Sequence, residues 1–202
     1  MLILESRDAA DDAQQFQRAD ISASPVLNFE REGQRPDGSR VKVGFSLAFA
    51  ADRGVPNIGF ATCQQHFPEN FWNPNYQQHP NGAHGVSNVT MVAADPAAHR
   101  AMLLAFTGTA DAQSEDDGYA ILLSRGSISV MTPRGFAARL GVEGPEPGSE
   151  ARLAAIGFVV PDLNGIRTRI QEAGIPVLMR DVGLVVRPEN ALGATLLFTP
   201  AG

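Results

Sequence analysis

Residues 151–175, ARLAAIGFVVPDLNGIRTRIQEAGI, decide the fold. Ala151 to Val160 is an almost unbroken apolar run of strand length. Asp162 then stands where a helix N-cap is needed, because its short carboxylate can accept from the free N–H groups of the first turn. In LNGIRTRIQEA the apolar residues Leu163, Ile166 and Ile170 recur at helical spacing, and Gly174 ends the helix as a C-terminal glycine does. Pro176 to Arg180, Gly183 to Arg187 and Ala194 to Thr199 follow as three short strands. The unit reads β-α-β-β-β.

The same order can be traced twice upstream. Met1 to Glu5 is a short strand, Asp8 caps AADDAQQFQRAD, and Ile21 and Pro25 close that helix. Val26 to Glu32 and Val41 to Ala50 flank the turn GQRPDGS, and Asn57 to Gln65 is the fourth strand. In the second copy His84 to Ala94 is a strand, and Asp95-Pro96 opens a helix that Gly108 stops. After the polar stretch ADAQSEDDG, Tyr119 to Ser124 and Ser127 to Thr132 are strands, and Pro133 to Leu140 is a short helix ended by Gly141. From the capping Asp to the residue that closes each helix is 13 positions: Asp8 to Ile21, Asp95 to Gly108, Asp162 to Ile175. A fixed internal spacing is the signature of repeated units. The competing reading is three unrelated strand–helix connections.

The fold class expected is α+β, with three tandem β-α-β-β-β units. The division expected is 1–83 for the first unit and its connecting segment, then 84–202 for a paired second (84–140) and third (151–202) unit, joined by the Gly/Pro/Glu-rich linker 141–150.

With 202 residues, 44% hydrophobic and 19% charged, the chain has the composition of a folded protein with a core of useful size. A net charge of −6 and scattered basic residues argue against nucleic acid or an anionic membrane as partner. One Cys excludes an internal disulfide and a Cys-cluster metal site. Without a signal peptide or an apolar run of roughly 20 residues, the expected location is the cytoplasm.

Residues 57–84, NIGFATCQQHFPENFWNPNYQQHPNGAH, hold the single Cys and Trp, one of two Tyr and three of four His. Strand alternation places Thr62, Gln64 and His66 on one face, expected to be the concave one, and Ala61, Cys63 and Gln65 on the other. His66 and Glu69 lie three apart and Trp72 three further on, so a turn after Pro68 could bring Glu69 to His66 as a general base and its partner. The competing reading has His66 bonded to a backbone carbonyl beneath Trp72. A metal site from His66, His79, His84 and Glu69 is conceivable by residue type but lacks the tight spacing of a zinc motif. Cys63 reads as a small hydrophobe rather than a nucleophile. His99 reads as solvated, Glu115, Asp116 and Asp117 as a solvated acidic turn, and Arg134 and Arg167 as cations free to receive an anion.

Tandem units of this kind resemble the vicinal-oxygen-chelate superfamily, which includes glyoxalase I, extradiol dioxygenases, methylmalonyl-CoA epimerase and the bleomycin- and fosfomycin-resistance proteins. The residues that carry the resemblance are LESRDAADDAQQF (4–16), RPDGSRVKVGFSLAFA (35–50), FATCQQHFPENFWNPNYQQHPNGA (60–83) and VSNVTMVAADPAAH (86–99). They are most similar to bacterial glyoxalase-like proteins, which usually carry a further unit before the first one present in this sequence. The resemblance implies that units pair to wrap a U-shaped cleft. The second and third would pair within the chain, and the first with its twin in a homodimer.

The resemblance also implies a divalent ion held by a His in the first strand and a Glu in the last strand of a unit. The corresponding first-strand positions are Met1, Asn88 and Ala155, and the last-strand positions fall near Gly59, Ser129 and Leu197. None supplies imidazole or carboxylate, so the superfamily metal is disfavoured, and no cofactor is expected with certainty. The function expected is binding of a small oxygenated organic ligand in a sheet cleft, with Thr62, Gln64, Trp72 and His79 as ligand-binding residues. The alternatives are a lyase, isomerase or dioxygenase-type enzyme using His66 and Glu69, with or without a metal, and a structural dimerisation module.

Overall fold

The structure, a computed structural model, describes all residues except Pro36, Asn73, Asn75, Tyr76, 146–149 and Gly202. Mixed sheets and helices give the α+β class. The chain divides into two compact units, Met1–Gln77 with Ala101–Gly108, and Gln78–Arg100 with Thr109–Gly202.

In the first unit, strand β1 (Leu2–Ser6) is followed by helix α1 (Ala9–Arg18) and strands β2 (Ser22–Gln34), β3 (Arg40–Ala50) and β4 (Phe60–Gln65). The sheet order is β1-β4-β3-β2, with β1 parallel to β4 and the other pairs antiparallel. Asp8 caps α1 by accepting from the N–H groups of Ala10 and Asp11. The helix buries Ala9, Ala13 and Phe16. Helix α3 (Arg100–Thr107) packs Phe106 against Phe16 at 5.9 Å and against Phe60 at 5.4 Å between ring centroids, which places the segment Ala101–Gly108 with this unit. Pro25 does not close α1. It sits inside β2, where register shifts between Ser22 and Leu27 and the edge position tolerate a residue with no N–H. The hairpin residue Pro36 lies outside the described residues.

In the second unit, β5 (Gly85–Val92) is followed by a 3-10 turn (Pro96–His99), and, after the chain has passed through α3, by β6 (Gln113–Glu115), β7 (Gly118–Leu122), β8 (Ser127–Met131) and helix α4 (Pro133–Leu140). Strand β9 (Arg152–Val160), helix α5 (Leu163–Glu172) and strands β10 (Val177–Arg180), β11 (Gly183–Val186) and β12 (Thr195–Pro200) complete it. Eight strands form one sheet in the order β10-β11-β12-β9-β5-β8-β7-β6, with β5 and β9 antiparallel at its centre. Strand β6 was hidden in the polar stretch ADAQSEDDG because three residues are too few to display alternation.

Alternation along these strands builds two layers. Leu184, Val186 and Phe198 face α5 and its Ile166. Val185 and Leu197 face the other way and pack with Phe136 and Leu140 of α4, together with Val92, Met131 and Ala155. Helix α4 is capped by Thr132, whose Oγ1 accepts from Gly135 N, and ends at Gly141 in the left-handed region at φ 69°. It therefore fills part of the face of the sheet opposite α5.

His99 is not solvated. It closes the 3-10 turn rather than lying on a polar helix face, and it is 8% exposed. The acidic turn is not simply solvated either, since Glu115 pairs with Arg139 at 2.7 Å and Asp117 with Arg134 at 2.6 Å. Arg134 is therefore paired with a carboxylate rather than a free cation.

Candidate functional site

The residues of the central stretch separate rather than converge. Gln64 Oε1 accepts from Ala9 N at 3.1 Å and its Nε2 donates to Arg7 O at 2.9 Å, so the amide holds the start of α1. This fixes the face. Thr62, Gln64 and His66 lie on the helix-covered side, and the expected concave placement is wrong, because alternation tells which residues share a face and not which face the helix covers. Thr62 is buried beneath α1 opposite Ala48, and its hydroxyl has no hydrogen-bond partner among the described residues.

His66 Nε2 lies 2.7 Å from Ser46 Oγ, which in turn is hydrogen-bonded to Asn28 Oδ1, while His66 N donates to Gly44 O at 2.9 Å. The imidazole thus ends a side-chain chain across β3 and β2, not a backbone carbonyl contact beneath Trp72. Glu69, exposed at the start of the short helix α2 (Pro68–Phe71), makes no hydrogen bond or ion pair with His66 among the described residues. Trp72 is 51% exposed and stands edge-on to Phe71 at 5.2 Å, and Phe71 stands edge-on to Phe45 at 5.4 Å. His79 is exposed and its Nδ1 accepts from Asn81 N at 3.3 Å. Cys63 is half-buried, and burial pushes its thiol pKa up, which suits a packed side chain better than a nucleophile.

A different constellation is assembled in the second unit. A cleft of about 280 Å³ opens between the sheet face opposite α5 and helix α4. Its floor comes from β5 (Ser87, Asn88, Thr90), β8 (Ser127, Met131) and β12 (Leu197, Thr199), and its wall from Arg139 and Leu140 of α4 and Val182 of the β10–β11 turn. Asn88 is the hub. Its Nδ2 donates to Ser127 Oγ at 2.9 Å and Ser129 Oγ at 3.0 Å, and its Oδ1 accepts from Thr90 Oγ1 at 2.7 Å. Ser127 Oγ is 3.4 Å from Ser87 O, and Thr199 Oγ1 is 3.4 Å from Ser87 Oγ. Amide and hydroxyls thus satisfy one another and leave rotatable O–H groups at the surface of the cleft.

Sequence reasoning passed over Ser87, Thr90, Ser127, Arg139, Val182 and Thr199. A signal was present. Asn88, Thr90, Ser127 and Ser129 alternate with Val89, Met91, Ile128 and Val130, and hydroxyls at every second position of two paired strands mark a polar face opposite an apolar one.

The residues do not fit the superfamily's ion. Strand pairing sets Ser127 opposite Asn88 and Thr195 opposite Ala155, two residues from the positions first assigned, and Gly59 beside Met1. Hydroxyls, an amide and alkyl groups offer neither imidazole nor carboxylate. Among the described residues no group of three or more His, Cys, Asp and Glu could hold a metal ion.

The family model described as "Glyoxalase-like domain" matches residues 1–107, more than half of the chain. The chain belongs to the glyoxalase-like family. No curated protein sequence matches it. Among solved structures, a hypothetical protein from Staphylococcus aureus superposes with a TM-score of 0.61 at 11% identity, over 98% of this chain and 65% of that one. This glyoxalase-like chain therefore spans about 65% of the length of that relative, and the likeness is one of fold. Methylmalonyl-CoA epimerase from Mycobacterium tuberculosis is similar at a TM-score of 0.46 and 14% identity, over 64% of this chain and 96% of its own. A xylose isomerase-like TIM barrel/4-hydroxyphenylpyruvate dioxygenase fusion protein reaches a TM-score of 0.49 and 12% identity, over 99% of this chain and 37% of its own. Among the described residues no helix is long and apolar enough to cross a membrane.

Proposed function

We propose that this glyoxalase-like protein binds a small oxygenated organic ligand in the cleft of its eight-stranded sheet, and does so without the metal ion of the superfamily. The observation that carries this reading is the hydroxyl and amide floor around Asn88, facing Leu140, Val182 and Arg139 across a cleft of about 280 Å³. Small-molecule sites combine that mixture of apolar surface and a few fixed polar groups. Neutral side chains stand where an ion's donors would be, and they favour holding an oxygenated ligand over polarising one through a metal.

Catalysis by His66 and Glu69 is the weaker reading, because His66 is engaged with Ser46 on the helix side of the other sheet and Glu69 is not joined to it. We further read the chain as three β-α-β-β-β units, of which the second and third share one sheet. The matched helix ends support this. Ala19 N bonds Gln15 O and Ile21 N bonds Phe16 O in the first, and Ala173 N bonds Arg169 O and Ile175 N bonds Ile170 O in the third.

The test is a fragment screen by thermal shift on the natural chain and on Thr199→Trp, which places an indole at the part-buried rim of the cleft. Small hydroxy and oxo compounds are expected to raise the melting temperature of the former and not of the latter. Equal shifts in both proteins would move the ligand site elsewhere.

A further inference from the structure

We propose that the ligand of this cleft carries a carboxylate, received by Arg139. This rests on the cleft-binding reading and adds the chemical class of the ligand.

Of the ten side chains that line the cleft, Arg139 alone is charged. It lies in the last turn of α4, where the neighbouring carbonyls have other partners. Ala138 O accepts from Arg180 Nη2 at 2.7 Å, and Ala137 O accepts from Gly141 N at 2.9 Å. The guanidinium is thus not spent on its own helix end. Among the described residues it has one partner, Glu115, whose Oε2 accepts from Nη1 at 2.7 Å. A guanidinium has five N–H donors in a fixed fork, so one pair leaves an edge able to take a carboxylate with two parallel bonds. The Glu115 contact, partly exposed at both partners, is a weak bond for an arriving anion to compete with.

The rest of the lining selects what the carboxylate is attached to. Ser87, Ser127 and Thr199 present hydroxyls that can both donate and accept, which suits a hydroxyl or carbonyl oxygen on the ligand. Met131, Leu140, Val182 and Leu197 offer a hydrocarbon surface. At about 280 Å³ the cleft is at the small end of ligand sites, which suits a small ligand. A short, branched or aromatic hydroxy or oxo monocarboxylate meets all three demands.

Matched probes test this: 2-hydroxy-3-methylbutanoate against its neutral primary amide, and benzoate against benzamide. Binding is read from the methyl signal of Met131 in protein labelled at its methionines, assigned with Met131→Leu. Each acid is expected to bind at least about tenfold more tightly than its amide, since charge-assisted bonds are about twice as strong as neutral ones. In Arg139→Gln that preference should fall to about onefold while amide binding persists. In Glu115→Gln it should be kept or strengthened. Equal binding of acid and amide, or a preference that survives Arg139→Gln, would overturn the carboxylate assignment and leave the cleft reading intact. If neither acids nor amides move the Met131 signal, both readings fall.

Discussion

At the scale of single residues, Asn88 and His66 illustrate opposite errors. In sequence His66 stands three residues from Glu69 and six from Trp72, an apparent site. Its true neighbours are Ser46 and Asn28, which the sequence separates by 20 and 38 positions. Asn88 was noticed as a lost metal position, and its hydrogen bonds to three hydroxyls were beyond reach without the strand register. Removing it should leave Ser127 and the buried Ser129 and Thr90 short of partners. Asn88→Ala is therefore expected to cost about 1–3 kcal/mol in urea unfolding, and an unchanged midpoint would show that water replaces the amide at no cost. Cys63 gives a pH prediction. Burial raises its pKa in the folded chain, so between the unfolded and folded values the unfolded state has lost a proton that the folded state keeps. Its contribution is fully present below about pH 8.5 and is lost as pH rises beyond that. The urea midpoint should fall between neutral pH and pH 9.5 by more in the natural chain than in Cys63→Ser. Parallel lines for the two proteins would contradict it.

Among elements, capping chemistry was the most legible part of the sequence. Asp8, Asp95 and Asp162 each accept from N–H groups of the turn they precede. The equal spacing was less sound at the other end. The left-handed residue that ends each helix is Asp20 at φ 56°, Gly108 at φ 67° and Gly174 at φ 76°, which is 12, 13 and 12 positions after the cap. The middle spacing differs because that segment begins with a 3-10 turn before the α-helix. Asp20 is the costly one, as left-handed backbone strains any residue with a Cβ. Asp20→Gly is expected to raise stability by up to about 1 kcal/mol, and Asp162→Ala to lower it by about 1 kcal/mol, both read from thermal unfolding. The β10–β11 turn is held more tightly still. Gly183 has φ 134°, and a Cβ there would come within 2.2 Å of Phe198 O. Gly183→Ala should therefore disturb the hairpin beside Val182 and weaken ligand binding along with stability. Retained binding would detach that turn from the cleft.

For the whole molecule, the two sheets pose a contrast that the sequence expressed only as a count of repeats. Strands β5 and β9 meet antiparallel at the centre of the eight-stranded sheet, so each covers the open edge of the other. Among the described residues strand β1 ends its sheet and pairs with β4 alone. Leu2 N donates to Gly59 O at 2.8 Å, and alternation along a parallel pair then turns the N–H of Ile3 to the open edge. Ile3 is 53% exposed. An apolar strand edge of this kind is a template for another strand, and two copies of β1 running antiparallel would satisfy each other under twofold symmetry. We therefore propose a homodimer joined along β1. Ile3→Pro removes the outward N–H and leaves the bonds to β4 in place, so it separates association from folding. Light scattering over a concentration series should give twice the 21.5 kDa chain mass for the natural protein and the single mass for Ile3→Pro, with unchanged circular dichroism. A natural chain that stays monomeric throughout the series rules out this pairing. A dimer that survives Ile3→Pro assigns the contact to another surface, and the exposed pair Phe71 and Trp72 is then the next edge to block.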